Sequence, residues 1–143
     1  MPTSFWEPCW ACRVLGGEFP GAVVTATRDV LVTMNPFPVN GGHALVLPRR
    51  HIENVYELPD ELAGPVLSMA ARVAWAAKRV FGADGVTLRQ NNEPASDQHL
   101  FHFHLHVIPR FDGDADRLNA QPQLASDAAL AETAARLRGG LTG

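Results

Sequence analysis

His102, His104 and His106 alternate with apolar residues in the run His102-Phe103-His104-Leu105-His106-Val107-Ile108. On an extended chain, alternate side chains share a face. The pattern predicts three imidazoles in a row, with Phe103, Leu105 and Val107 turned toward the core. Neighbours in such a row stand ~6.5–7 Å apart. All six histidines of the chain lie between His43 and His106, with His99 just ahead of the row. Three readings are open. Neutral imidazole is a metal ligand, and two ligands on alternate strand positions can grip one zinc. Neutral imidazole is also a nucleophile that becomes a good leaving group once phosphorylated. The third reading is a polar strip facing solvent. Cys9-x-x-Cys12 has the spacing of half a tetrahedral zinc site, or else supplies two ordinary thiols.

The elements that must carry these residues are legible in outline. Ala22 to Thr27 and Val30 to Met34 read as a hairpin, split by Arg28-Asp29. Residues 35–42 are rich in Pro, Asn and Gly and read as a loop. Ala44 to Leu47 reads as a strand stopped by Pro48. Asp60 to Phe81 reads as the main helix, because Leu62, Val66, Met69, Val73 and Val80 fall at helical spacing and Gly82 follows. Pro65 sits inside it. Val86 to Arg89 is a strand, Asn91 to Gln98 a polar loop, and Phe101 to Ile108 the clearest strand of the chain. A mobile link is expected after Pro109, then a helix over Leu124 to Leu137 and a frayed glycine-ended tail. The fold class is α+β, with a mainly antiparallel sheet, one long helix and a C-terminal helix. We expect a single domain over 1–143, with its core at about 9–114 and an extension over 115–143.

The bulk composition narrows the partners. Apolar residues make up 46% and charged residues 19%, as in an ordinary globular chain. A net charge of -3 gives no overall attraction to nucleic acid. No apolar run approaches the ~20 residues that span a bilayer. Met1 to Glu7 lacks the basic and apolar pattern of a signal peptide, so the expected location is cytoplasmic. Arg49-Arg50 reads as a solvated turn, and Gly41-Gly42 as backbone freedom ahead of His43. Phe5, Trp6 and Trp10 read as lids on the core or a dimer surface, with base stacking as the alternative.

The histidine run matches the His-φ-His-φ-His-φ-φ motif, φ being apolar, and the chain resembles the histidine triad (HIT) family. The likeness extends to Gly42-His43 and Pro48 through His51, to Asn91-Asn92 with Gln98, and to Pro109-Arg110 and Gly113-Asp114. It implies a HIT-like fold and a nucleotide hydrolase. That activity cleaves at the α-phosphate of nucleoside phosphoramidates or dinucleoside polyphosphates through a covalent nucleotidyl-histidine intermediate. By position, His104 is the implied catalytic nucleophile. His43 and His106 are implied to hold phosphate oxygens, Asn35 to lie near the ribose, and Asn91 and Gln98 to serve the phosphate loop. The resemblance also implies a structural zinc on Cys9, Cys12, His51 and His102, a purine nucleotide conjugate as substrate, and no organic cofactor. It further implies a homodimer through Leu62 to Phe81 and Val86 to Arg89.

The chain departs from the family pattern in two places. Asp97 stands where the family has Gly, and His99 where it has Ser or Thr; His99 is a candidate to replace the lost hydroxyl donor. A transferase branch carries Gln in place of His106, so His106 favours hydrolysis. The other readings are a nucleotide-binding or metal-sensing module with little turnover, a dinucleoside polyphosphate phosphorylase, and a metal-dependent hydrolase using all three histidines of the run.

Overall fold

The computed structural model describes residues 3–142. Met1, Pro2 and Gly143, the ends of the expected domain, lie outside the described residues. Five strands form one antiparallel sheet: β1 (Val23–Ala26), β2 (Val30–Met34), β3 (Ala44–Pro48), β4 (Gly85–Arg89) and β5 (Leu105–Arg110), in the order β1-β2-β3-β5-β4. Three helices accompany it: α1 (Trp10–Leu15), α2 (Asp60–Phe81) and α3 (Asp127–Thr142). Among the described residues, no helix is long and apolar enough to cross a membrane.

The two faces of the sheet are covered differently. Val30, Val32, Met34, Val46 and Val107 meet Val66, Met69, Val73 and Ala77 of α2 and Leu130, Ala134 and Leu137 of α3. Leu31, Leu45 and Leu47 face the other way, against Trp6, Trp10, Val14 and Leu100. Both faces are therefore apolar, which is why β2 and β3 are buried along their whole length. Trp6 and Trp10 are core side chains, at 4% and 0% exposed. Burying an aromatic side chain contributes roughly 2–3 kcal/mol. This N-terminal cluster leaves open the part of the same face where the histidines emerge.

Two sequence expectations need correction. The strand expected from Phe101 begins only at Leu105. β3 pairs with β5 no further than Val46↔Leu105. Beyond that pair the chain bonds elsewhere: Phe103 N–H donates to Ile52 O at 2.7 Å, and the His102 carbonyl is taken by a side chain. His102 therefore does not share a face with His104 and His106.

The second correction concerns the C-terminal quarter. In place of a mobile link, a 3-10 segment spans Ala115–Asn119 and Ala125 N–H donates to Pro36 O at 2.9 Å. The Ser126 hydroxyl accepts from Ala129 N–H at 3.1 Å and caps the start of α3. Among the described residues, the tail expected to fray after Leu137 is helical. The helix continues through Gly139 and Gly140 to Thr142, because Gly140 packs against α2. A Cβ there would meet Val80 Cγ1 at 2.8 Å.

Candidate active site and metal centre

The site residues singled out by sequence, Gln98 apart, fall into two clusters. The first lies in a cleft of about 660 Å3, lined among others by Asn35, His43, Asn91, His99, His104 and His106. His43 is placed by Gly42, whose φ of +93° suits glycine and whose Cβ would stand 2.6 Å from the Phe81 ring. Asn40 holds the same loop to the end of β5, donating to Pro109 O at 2.8 Å and to the Asp114 carboxylate at 2.7 Å. Arg110 grips that carboxylate from the other side at 2.7 Å.

Backbone bonds decide where the imidazole protons sit. Val39 N–H donates to His43 Nδ1 at 3.0 Å, so neutral His43 carries its proton on Nε2. That proton is directed to His106 Nδ1 at 2.9 Å, which leaves the His106 proton on Nε2. Asn35 stands with its side-chain amide 3.3 Å from His43 Nε2, and its carbonyl oxygen accepts from Phe37 N–H at 2.9 Å. His104 Nδ1–H donates to the His102 carbonyl at 2.7 Å. Its Nε2 is then an unprotonated lone pair at the cleft.

Burial keeps these rings uncharged. It pushes His43 down to about 3, with Arg89 and His104 adding to the effect. Burial pushes His106 well below the usual histidine range, helped by His104, His43 and Arg89. His104 is lowered by burial too, against the opposing bond to the His102 carbonyl. A neutral row of this kind offers one bare nitrogen, on His104, beside one free N–H donor, on His106, in a poorly solvated wall, an arrangement suited to attack on phosphorus.

The second cluster is Cys9, Cys12, His51 and His102, whose donor atoms all lie within 4.8 Å of one another. Cys9 caps α1, its sulfur accepting from Cys12 N–H at 3.4 Å, which turns both sulfurs to one side. His102 donates Nε2–H to Pro48 O at 2.7 Å, so its Nδ1 faces the thiols. A tetrahedral zinc requires edges of about 3.6 Å between S and N and about 3.3 Å between two N atoms, from its usual bond lengths. The S–N distances are 3.4, 3.5 and 3.8 Å, and His51 Nδ1 to His102 Nδ1 is 3.2 Å. The four residues are close enough to bind a metal, and these four distances lie near the edges such an ion requires.

A HIT domain model matches residues 16–113. The chain belongs to the HIT family. This HIT chain is 38% identical over 114 residues to "Protein hit" of Bacillus subtilis, covering 80% of this chain and 78% of that one. It is 29% identical over 102 residues to the adenosine 5'-monophosphoramidase hnt1 of Schizosaccharomyces pombe, covering 71% and 74%. A zinc-bound histidine triad family protein from Mycobacterium smegmatis superposes with a TM-score of 0.81 at 28% identity, over 94% of each chain.

The HIT site also holds residues that sequence reading passed over, and one that it placed differently. Gln98 does not line the cleft. It is 2% exposed and spends its amide within the fold, accepting from Glu93 N–H at 2.7 Å and donating to Glu53 O at 2.7 Å and Leu100 O at 3.1 Å. Arg117 was hidden in the supposed link, yet it donates twice to Val39 O, at 2.9 and 2.7 Å, and so steadies the residue that holds His43. Trp6, Phe37 and Leu45 supply an apolar wall, and Arg89 faces the histidines from β4.

Proposed function

We propose that this HIT protein is a nucleotide hydrolase that cleaves at the α-phosphate through a nucleotidyl group carried on His104. The observation that carries the reading is the bare Nε2 of His104, fixed by the Nδ1–H bond to the His102 carbonyl at 2.7 Å. The lone pair attacks phosphorus and forms a P–N bond. The P–O or P–N bond to the leaving group breaks and the electron pair departs with that group. Water then attacks the same phosphorus and gives up a proton to solvent or to the departed group, the electron pair of the breaking P–N bond returns to His104 Nε2, and a nucleoside monophosphate is released. His106 donates its Nε2–H to a phosphoryl oxygen, where the developing charge is largest, and His43 fixes that tautomer by donating to His106 Nδ1. Asn35 holds the ribose. Asn91 and His99 complete the phosphate side, and Gln98 braces their loop from behind. The phosphoramidase name of the yeast relative supports the same bond class.

The metal centre takes a structural zinc in this reading. Two thiols and two imidazoles form a closed set, and a closed set supplies rigidity rather than an open coordination position. A metal-dependent hydrolase built on all three histidines of the run fits the geometry less well, because His102 Nδ1 faces Cys9 and Cys12 rather than the cleft. The chain acts as one domain, since α3 shares a core with α2. It works in the cytoplasm, where two thiols stay reduced. It forms a homodimer through α2 and β4, which expose Leu67, Trp75 and Leu88.

The test is His104→Ala. Turnover of a nucleoside phosphoramidate falls by several orders of magnitude while nucleotide affinity is retained, because only the covalent step is lost. Turnover within about tenfold of wild type would remove His104 from this role.

A further inference from the structure

One charged group in the cleft has no part in the reaction above. Arg89 stands opposite His106 in the β4–β5 ladder, so the two side chains share a face. It lines the cleft with His104 and Asn91. Its Nε is buried without a hydrogen-bond partner, and no ion pair among the described residues involves it. A guanidinium keeps its charge and only donates. A buried donor left unpaired costs free energy that an anion would recover.

Its place in the row says which anion. The strands run β2-β3-β5-β4 across the sheet. Asn35 follows β2, His43 precedes β3, His106 lies on β5 and Arg89 on β4. Asn35 is 3.3 Å from His43, and His43 is 2.9 Å from His106. With the ribose at Asn35 and the reacting phosphate at the histidines, Arg89 lies at the far end of the row from the ribose, where a second phosphate would continue the substrate.

We propose that Arg89 binds the leaving group and selects an anionic one, the second phosphate of a phosphoanhydride such as a dinucleoside polyphosphate, over the amine of a phosphoramidate. This rests on the reading of His104 as nucleophile, which puts the reacting phosphate in this row. When the P–O bond of an anhydride breaks, the electron pair stays on a phosphate oxygen that needs no proton, and a fixed cation stabilises it. When a P–N bond breaks, the amine must gain a proton, and a guanidinium cannot supply one.

The experiment compares kcat/KM for diadenosine triphosphate and for adenosine phosphoramidate in the full chain, wild type against Arg89→Met. The ratio of anhydride to phosphoramidate falls about tenfold to a hundredfold in the variant, as for one charged hydrogen-bonding group removed. A ratio unchanged within about threefold overturns the proposal, as does an equal loss on both substrates. Binding supplies a readout free of catalysis. In the His104→Ala background, ADP binds more tightly than AMP, and Arg89→Met removes that preference; a preference kept intact also overturns it. If wild type turns over neither substrate, the hydrolase reading fails, and the ADP-to-AMP comparison still decides the role of Arg89. Arg89→Lys, which keeps the charge but not the fork, retains part of the ratio and covers the case in which Arg89→Met does not fold.

Discussion

His102 and His104 are near neighbours in the chain, yet they serve opposite clusters. Each gives one ring proton to a backbone carbonyl, but from opposite nitrogens. His102 donates Nε2–H to Pro48 O and turns Nδ1 to the thiols. His104 donates Nδ1–H to His102 O and turns Nε2 to the cleft. The residue type is the same, and the carbonyl it meets selects the tautomer and therefore the job. The clusters are also linked, because the carbonyl that orients His104 belongs to a metal-cluster residue. Holding His102 in place holds the His104 ring in place.

The largest effect separates the two. His104→Ala, with turnover lost by orders of magnitude, still carries about one metal ion per chain by elemental analysis. Loss of the metal along with the His104 ring would merge the clusters into one centre. The reverse substitution is expected to be weaker and less selective. Cys9→Ser empties the metal cluster, lowers Tm by about 5–10 °C, and reduces kcat by about tenfold to a hundredfold through the loosened His102. An unchanged kcat in a metal-free variant would show that the carbonyl link carries no load.

Acid tests the burial of the cleft. Burial pushes His43 down to about 3 in the folded chain, below the value of about 6.5 for an unfolded histidine. Between those values the unfolded chain binds more protons, so stability falls as pH is lowered from about 6.5 toward 3. His43 contributes up to about 1.4 kcal/mol per pH unit to that fall. Urea unfolding at stepped pH should therefore show a shallower acid dependence in His43→Gln than in wild type. Equal slopes would mean that His43 is not the buried neutral group described. The smallest effect concerns assembly. Sedimentation at micromolar concentration should give roughly twice the monomer mass of 15.5 kDa. Leu88→Glu on β4 should shift this toward the monomer while metal content stays constant.

What the sequence made legible was whatever depends on periodicity or on a short motif. The α2 stripe of Leu62, Val66, Met69 and Val73 is local, and its helix has the expected bounds. The strand histidines and Cys9-x-x-Cys12 are local patterns too. What escaped depends on partners distant in the chain. Gly139-Gly140 reads as a tail until Val80 is found against it. Arg117 reads as linker until Val39 accepts from it. Gln98 reads as a ligand because its burial against Glu53 and Leu100 leaves no sequence trace. Arg89 closes a strand, and no residue pattern shows that its Nε is buried. The choice of tautomer at His102 and His104 is set by carbonyl positions that no residue pattern encodes.

The most direct measurement is the intact mass of the chain caught during turnover. The protein is mixed with a dinucleoside polyphosphate and quenched within milliseconds in alkaline denaturant, which preserves a P–N bond. The account predicts a fraction of chains heavier by one nucleotidyl group, mapped by fragmentation to His104. A nucleotidyl group on any other residue, or product already formed while every chain keeps its unmodified mass, would contradict it.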